Sequence, residues 1–310
     1  VCSFEENIDQ INVKKLIENE IVRQNEIYNK SLLIDNRKEK KTKKQLEEEQ
    51  LIKDFITATD NFVVYRPSFR LHTLLAGYPW FLDWGRDSLI SFEGLLLVTK
   101  RFDIAKEVLQ TLVRDIKFGL VPNGYSGFDN RPLYNSVDAS LLLFEQIQKY
   151  VEYTEDYEFV KENLYEKLKD VIENYKNGID VDDNNIYLDT DYLIVSGTQN
   201  TQNTWMDAKC NNKAVTPRNG KAVEINSLWY NANIIMADLE NKIGNKNDAK
   251  KYQELARKCK KAFNEKFYNK KRKCLYDVIG DAKIRPNQLF SMSLTYQVID
   301  TNSEEAKNIL

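Results

Sequence analysis

The chain has 310 residues, enough to bury one large core or two ordinary ones, and its 45 basic residues nearly balance 47 acidic ones. That balance leaves no electrostatic case for nucleic acid, a charged membrane surface or a polyanionic substrate, and favours a neutral one. Four cysteines (Cys2, Cys210, Cys259 and Cys274) at no metal or redox spacing, with His72 as the single histidine, exclude a disulfide framework, a multi-histidine zinc site and a histidine triad. Carboxylates must carry any acid–base chemistry, and His72 reads as an ordinary loop or core histidine. No apolar run approaches the ~18 residues of a membrane span, and the start lacks the form of a signal peptide. A reducing cytoplasm is therefore the expected compartment. The chain opens on Val1 rather than Met, as a processed or partial chain does.

Residues 1–50 read as a charged helical connector or the tail of a preceding domain, with Ile8, Ile11, Leu16, Ile17 and Ile21 at amphipathic spacing. Six of the eight residues from Arg37 to Lys44 are basic. Because no aromatic residue interleaves them, they read as a solvated helix face rather than a nucleic-acid patch. The main domain is placed at 51–310. It opens with a helix over Leu51–Asp60 and a short strand at Phe62–Tyr65. Helices then alternate between two kinds. Asp87–Lys100, Ser136–Tyr153, Lys221–Ile243 and Pro286–Ile299 are apolar nearly all round, as inner helices are. Asp103–Phe118, Asp156–Lys176 and Asn247–Phe267 carry one apolar stripe, as outer helices do, and a last helix opens at Ser303. The alternation predicts an all-α fold of paired inner and outer helices, either a closed barrel or an open solenoid. Asp180–Asn203 is a polar interruption with a small hairpin at 186–195. Asp180, Asp182 and Asn184 have the first spacings of a calcium loop but read as a plain turn, since Asn185 stands at the glycine position.

All four tryptophans fall in two stretches. Ala76-Gly77-Tyr78-Pro79-Trp80-Phe81-Leu82-Asp83-Trp84-Gly85-Arg86-Asp87-Ser88 interleaves four aromatics with two carboxylates and a guanidinium. Thr204-Trp205-Met206-Asp207 through Trp229-Tyr230 repeats that chemistry. A sugar ring is apolar on its faces and hydroxylated around its rim, so aromatic faces beside fixed carboxylates suit it. Both stretches, and Tyr134–Asp138, run into inner helices, so their loops meet at one end of a barrel. Asp83, Trp84, Arg86, Asp87, Asp138, Trp205 and Glu224 are thus candidate substrate contacts. Asp87 and Asp138 also fit as helix caps, Glu224 as first-turn charge, and Trp229 as core. Asp207 is either a cap or turn aspartate, or a general acid desolvated by Trp205 and Met206.

These two motifs resemble those of the amylo-α-1,6-glucosidase domain of glycogen debranching enzymes. The second extends through Val215-Thr216-Pro217-Arg218-Asn219-Gly220-Lys221-Ala222-Val223-Glu224-Ile225-Asn226-Ser227-Leu228-Trp229-Tyr230-Asn231, and the resemblance covers roughly Leu51 to Leu310. It implies an (α/α)6 barrel that releases glucose from α-1,6 branch points of glycogen or a related branched α-glucan, with inversion and without metal or organic cofactor. It implies Asp207 as general acid, and Arg86 with Asp87 as the pair holding the outer hydroxyls of the cleaved sugar.

Four inner helices are counted where six are needed, so the barrel is expected to be incomplete at the C-terminus. The family's general base, a glutamate in its later portion, is expected beyond Leu310; Glu224 and Asp83 are the carboxylates that could stand in. By itself the chain is then expected to be catalytically incompetent. The alternatives are a glucoamylase-like α-1,4-glucosidase and a non-catalytic glucan-binding helical scaffold.

Overall fold

A computed structural model describes residues 12–33, 41–79, 81–126, 129 and 131–310. Cys2, Ile8, Ile11, Trp80 and the first half of the basic run lie outside them. Helices α1 (Val13–Lys30) and α2 (Lys43–Asp60) form a hairpin capped by Asn12 and by a reciprocal Thr42–Gln45 box. The boundary drawn at residue 50 falls inside α2. Leu16, Ile17 and Ile21 of α1 remain exposed. Asp60 joins α2 to α1 through Arg23 and to the body through Arg101 Nη1 at 2.9 Å. Strands β1 (Val63–Arg66) and β2 (Leu71–Leu74) then pair antiparallel, Val63 opposite Leu74.

Two layers of helices follow. α3 (Gly85–Phe92), α5 (Ala139–Thr154) and α8 (Val223–Ile243) are successive neighbours in an inner row. α4 (Phe102–Arg114), the pair α6 (Tyr157–Asn163) and α7 (Tyr165–Asn177), and α9 (Lys246–Phe267) lie outside them. Side-chain pattern explains the sorting. On α9 the buried residues are Ala249, Tyr252, Ala256, Cys259, Phe263 and Phe267, steps of three and four that make one stripe, and the remaining face is charged. On α8 even Asn226, Ser227, Asn231 and Asn233 are buried, each with at least one defined hydrogen-bond partner. Phe263, fully buried and stacked on Phe267, is the outer-layer residue whose loss costs most, about 3–5 kcal/mol for truncation to Ala.

The fold is all-α; among the described residues strands amount to five two-stranded hairpins. After β1–β2 these are β3 (Gly124–Tyr125) with β4 (Pro132–Leu133), β5 (Tyr187–Leu188) with β6 (Ile194–Val195), β7 (Lys209–Cys210) with β8 (Lys213–Ala214), and β9 (Tyr268–Asn269) with β10 (Cys274–Leu275). The β5–β6 pair is the hairpin read at 186–195, and Val181–Asp183 of the calcium-like stretch forms a 3₁₀ turn.

Two inner helices depart from expectation. The first starts at Gly85 and widens at Glu93–Leu97 into a π-helical segment, Val98 N–H reaching back to Glu93 O at 3.0 Å; its Ile90 faces open space instead of core. The helix expected at Pro286–Ile299 is not continuous. It is a 3₁₀ turn at Pro286–Leu289 and a short α10 (Phe290–Ser293), after which Leu294 is extended, and α11 (Glu304–Ile309) closes the described chain under a Ser303 cap. The reason is competition for amide donors. Buried Glu145 of α5 accepts Thr295 N–H at 3.1 Å and its hydroxyl at 2.8 Å, and Asn231 of α8 accepts Tyr296 N–H at 2.9 Å. Those amides are then lost to an i→i−4 ladder.

Candidate active site

The loops entering the inner helices are knitted to each other before they hold anything else. Gly85 N–H donates to Asn123 O at 3.0 Å, and a Cβ at residue 85 would stand 2.2 Å from Pro122 O, so only glycine lets α3 start there. Val137 N–H donates to Asn203 O at 2.7 Å, and the Tyr175 hydroxyl, on an outer helix, donates to Val137 O at 2.6 Å. Tyr175 stacks on Trp229, which is fully buried; Trp229 is core, not a sugar platform. This packing fixes residues 84–87, 138 and 207 relative to one another although 121 positions of sequence separate Arg86 from Asp207.

They converge on a cavity of about 510 Å³, inside the range of small-molecule sites. Trp84, Arg86, Asp87, Asp138, Trp205, Asp207 and Glu224 all line it, with Phe81, Ile90, Leu142, Leu228 and Phe290 as apolar wall. At its floor Arg86 Nε donates to Asp138 Oδ2 at 2.8 Å and Nη1 to Asp207 Oδ2 at 2.9 Å. Burial works against the Arg86 charge, but Asp138 and Asp207 more than offset it and the guanidinium is held more basic than usual. Asp138 occupies the N-cap of α5 yet makes no capping bond; Arg86 takes its carboxylate instead. Arg86 Nη2 and Asp138 Oδ1 are buried without a partner among the described residues. Both residues line the cavity, and leaving those two atoms unpaired costs about 1–3 kcal/mol each.

Asp87 is not the α3 cap, a position held by Trp84; it stands in the first turn with its carboxylate open to the cavity. Desolvation by the cavity wall pushes its carboxyl above the ordinary range, with Asp207 and Asp138 adding to the rise, against Arg86 and its own backbone hydrogen bond. Asp207 caps no helix either: it precedes β7 in an irregular segment, its side chain 36% exposed. Trp205 is half exposed, its indole N–H held by Asn287 Oδ1 at 2.7 Å.

Two carboxylates differ from expectation. Asp83 lies outside the cavity, buried against Arg66 Nη1 at 2.5 Å and the Thr73 hydroxyl at 3.3 Å, since the residue beside Trp84 in extended backbone points to the opposite side. Glu224 reaches the cavity wall, but Arg218 clasps both its oxygens, Nη2 to Oε2 at 2.6 Å. Neither has the free oxygen that a stand-in base needs. Sequence reasoning missed Arg218, Asp277 and Asn287, which brace Glu224 and Trp205. Arg218 had a signal, a lone guanidinium inside a long motif six residues before Glu224; Asp277 and Asn287 had none. His72 is structural, Nδ1 lying 2.7 Å from Glu107.

An all-helical scaffold with a sugar-sized cavity walled by aromatics and floored by carboxylates is that of a glycoside hydrolase. The sequence model of the amylo-alpha-1,6-glucosidase family matches residues 57–310, and the chain belongs to that family. It is similar to the glycogen debranching enzyme of Saccharomyces cerevisiae, 27% identical over a match that covers 57% of this chain and 15% of that protein. The match therefore spans about a seventh of the yeast protein's length. Among solved structures, a rhamnosidase from Klebsiella oxytoca with rhamnose bound shares the fold at a TM-score of 0.51 and 13% identity, over 67% of this chain and 37% of that one. No helix among the described residues is long and apolar enough to cross a membrane.

Proposed function

We propose that this domain belongs to an enzyme that hydrolyses α-1,6-glucosidic branch linkages of glycogen or a related α-glucan, releasing glucose with inversion. The observation that carries the reading is the junction of Asp207 with Arg86 and Asp138 inside a cavity walled by Phe81, Trp84 and Trp205. In this reading Asp207 protonates the departing glycosidic oxygen, as a carboxyl at a cavity edge does in inverting and retaining enzymes alike. The Arg86–Asp138 pair and the Asp87 carboxylate grip the hydroxyls of the terminal glucosyl unit, and the apolar wall covers its ring face. Asp83 and Glu224, whose oxygens are already spent, are not assigned the water-activating role. Compartment follows from the substrate: a cytoplasmic glucan store, in keeping with thiols at Cys210, Cys259 and Cys274 that are all free.

Glucose release from a singly branched dextrin by the full-length gene product, beside its Asp207→Asn variant, tests the reading. Wild type should release glucose and the variant should lose roughly 10²–10⁴-fold in kcat, because the amide has no proton of comparable acidity to give. A variant within tenfold of wild type removes Asp207 from that role. Turnover of linear maltooligosaccharide but not of branched dextrin would move the enzyme to α-1,4 linkages. Glucan binding without hydrolysis would make it a scaffold.

A further inference from the structure

Beyond the cavity just described lies a second one of about 330 Å³, and the two share Trp84 and Asp207 as a common wall. Its other walls come from the polar stretch 180–203, which the first cavity leaves unused, and from the loops beside it: Asp182, Asn184, Thr201, Gln202 and Asn203, with Asn135 and Lys209 at its edges. The framework is rigid. Buried Asn203 donates to Asn184 O at 3.0 Å, and Asn184 donates to Tyr134 O at 2.5 Å, so the segment is bolted to the loop that carries Asp138. The groups on its surface are unspent. Among the described residues neither the Asn135 amide, the Asp182 carboxylate nor the Lys209 ammonium has a side-chain partner, and Gln202 uses only its NH₂, toward Asn200 O at 3.1 Å.

We infer that this second cavity holds the parent-chain glucosyl residue that leaves when the branch is cut, with Gln202 and Lys209 binding its rim hydroxyls. The inference rests on the proposed hydrolysis. A proton donor must touch the oxygen joining two sugars, so one sugar lies on either side of it; Asp207 is the carboxylate that both cavities share. The first cavity has Arg86, Asp87 and Asp138 and the apolar wall, which suit the glucosyl unit to be cleaved. The second, beyond the shared Trp84 and Asp207, has amides, a hydroxyl, the Asp182 carboxylate and the Lys209 ammonium, groups that bind several sugar hydroxyls. Recognition of the parent chain thereby falls to the 180–209 region, and preference for branched over linear substrate becomes a property of those side chains.

The test compares two substrates in the full-length gene product. A singly branched dextrin needs both cavities; α-glucosyl fluoride, whose leaving group is a fluoride ion, needs only the first. Gln202→Ala and Lys209→Ala, both at accessible positions, should each lower kcat/KM on the branched dextrin about tenfold relative to kcat/KM on α-glucosyl fluoride, mainly through KM. Equal losses on both substrates, or a branched-dextrin KM within twofold of wild type in both variants, overturn the assignment while leaving the hydrolase reading intact. Wild type that turns over neither substrate defeats the hydrolase reading itself and this inference with it.

Discussion

Arg218 and Arg86 are each held between two carboxylates, and the two clusters end in different states. Arg218 is sealed: Nε and Nη2 bind Asp277 at 2.8 and 3.0 Å, Nη1 and Nη2 bind Glu224, the Thr204 hydroxyl lies 3.2 Å from Nη1, and Arg285 and Asn287 finish the coordination of Asp277. Arg86 borders the cavity: one bond to Asp138, one to Asp207, and a third nitrogen that is buried and has no partner among the described residues. A buried network whose partners all come from the protein braces the fold, whereas one whose residues line a cavity also presents polar groups to a ligand. The same residue types therefore do structural work in one place and are poised for a ligand in the other. What separates them is whether the neighbouring loops supply enough acceptors.

Substitutions that remove one arginine at a time sharpen this contrast. Arg218→Met should have the largest effect on stability, about 3–5 kcal/mol by denaturant unfolding of the full-length protein, because it strands the fully buried Glu224 carboxylate and leaves Asp277 with only Arg285 and Asn287. Arg86→Met strands one buried carboxylate, Asp138, while Asp207 is open to water, so it should cost less than Arg218→Met, and it should also lower kcat/KM on branched dextrin by roughly a hundredfold through misplacement of the sugar. If the two variants lose stability equally, the bracing network and the cavity-lining one are not distinct. Gly85→Ala comes next: the new methyl meets Pro122 O, so the first turn of α3 must move, costing about 1–3 kcal/mol and carrying Arg86 and Asp87 out of register. Wild-type unfolding midpoint and activity in that variant would show that α3 tolerates the shift.

The smallest effect belongs to Asp87. Its carboxyl is raised, so the folded state binds that proton more tightly than the unfolded state does. Ionisation therefore weakens the fold: the cost is absent below the ordinary carboxylate range and complete above the raised value. Asp87→Asn removes it, so the variant's unfolding midpoint should sit slightly above wild type at neutral pH, and the gap should close as pH falls through the carboxylate range. A gap that widens toward acid would show that Asp87 is stabilised as a carboxylate instead.

Much of the helix layering was legible because it is local. The stripe on α9 and the all-round apolarity of α8 repeat every three to four residues and need no knowledge of partners. The sugar-suited stretches were also legible, since their mixture of aromatics and charges serves no core. Partnerships were not. Asp138 could be read as a residue opening a helix, but that its carboxylate turns to Arg86 rather than to the helix amides depends on a side chain 52 positions away. The break after Ser293 depends on Glu145, 150 positions from the amide it captures. Asp83 and Asp87 are four residues apart in one motif, and only the packing of β2 and α3 sends one to Arg66 and the other into the cavity.

By itself, then, the sequence determined the all-α layering and the carboxylates available for chemistry, because composition and periodicity are properties of a short stretch of chain. The tertiary structure decided which carboxylates are spent and which are free, how the polar stretch 180–203 becomes a cavity wall, and where the tenth helix stops. Each of those outcomes is a competition for hydrogen-bond partners among groups far apart in sequence, and only the folded backbone sets who meets whom.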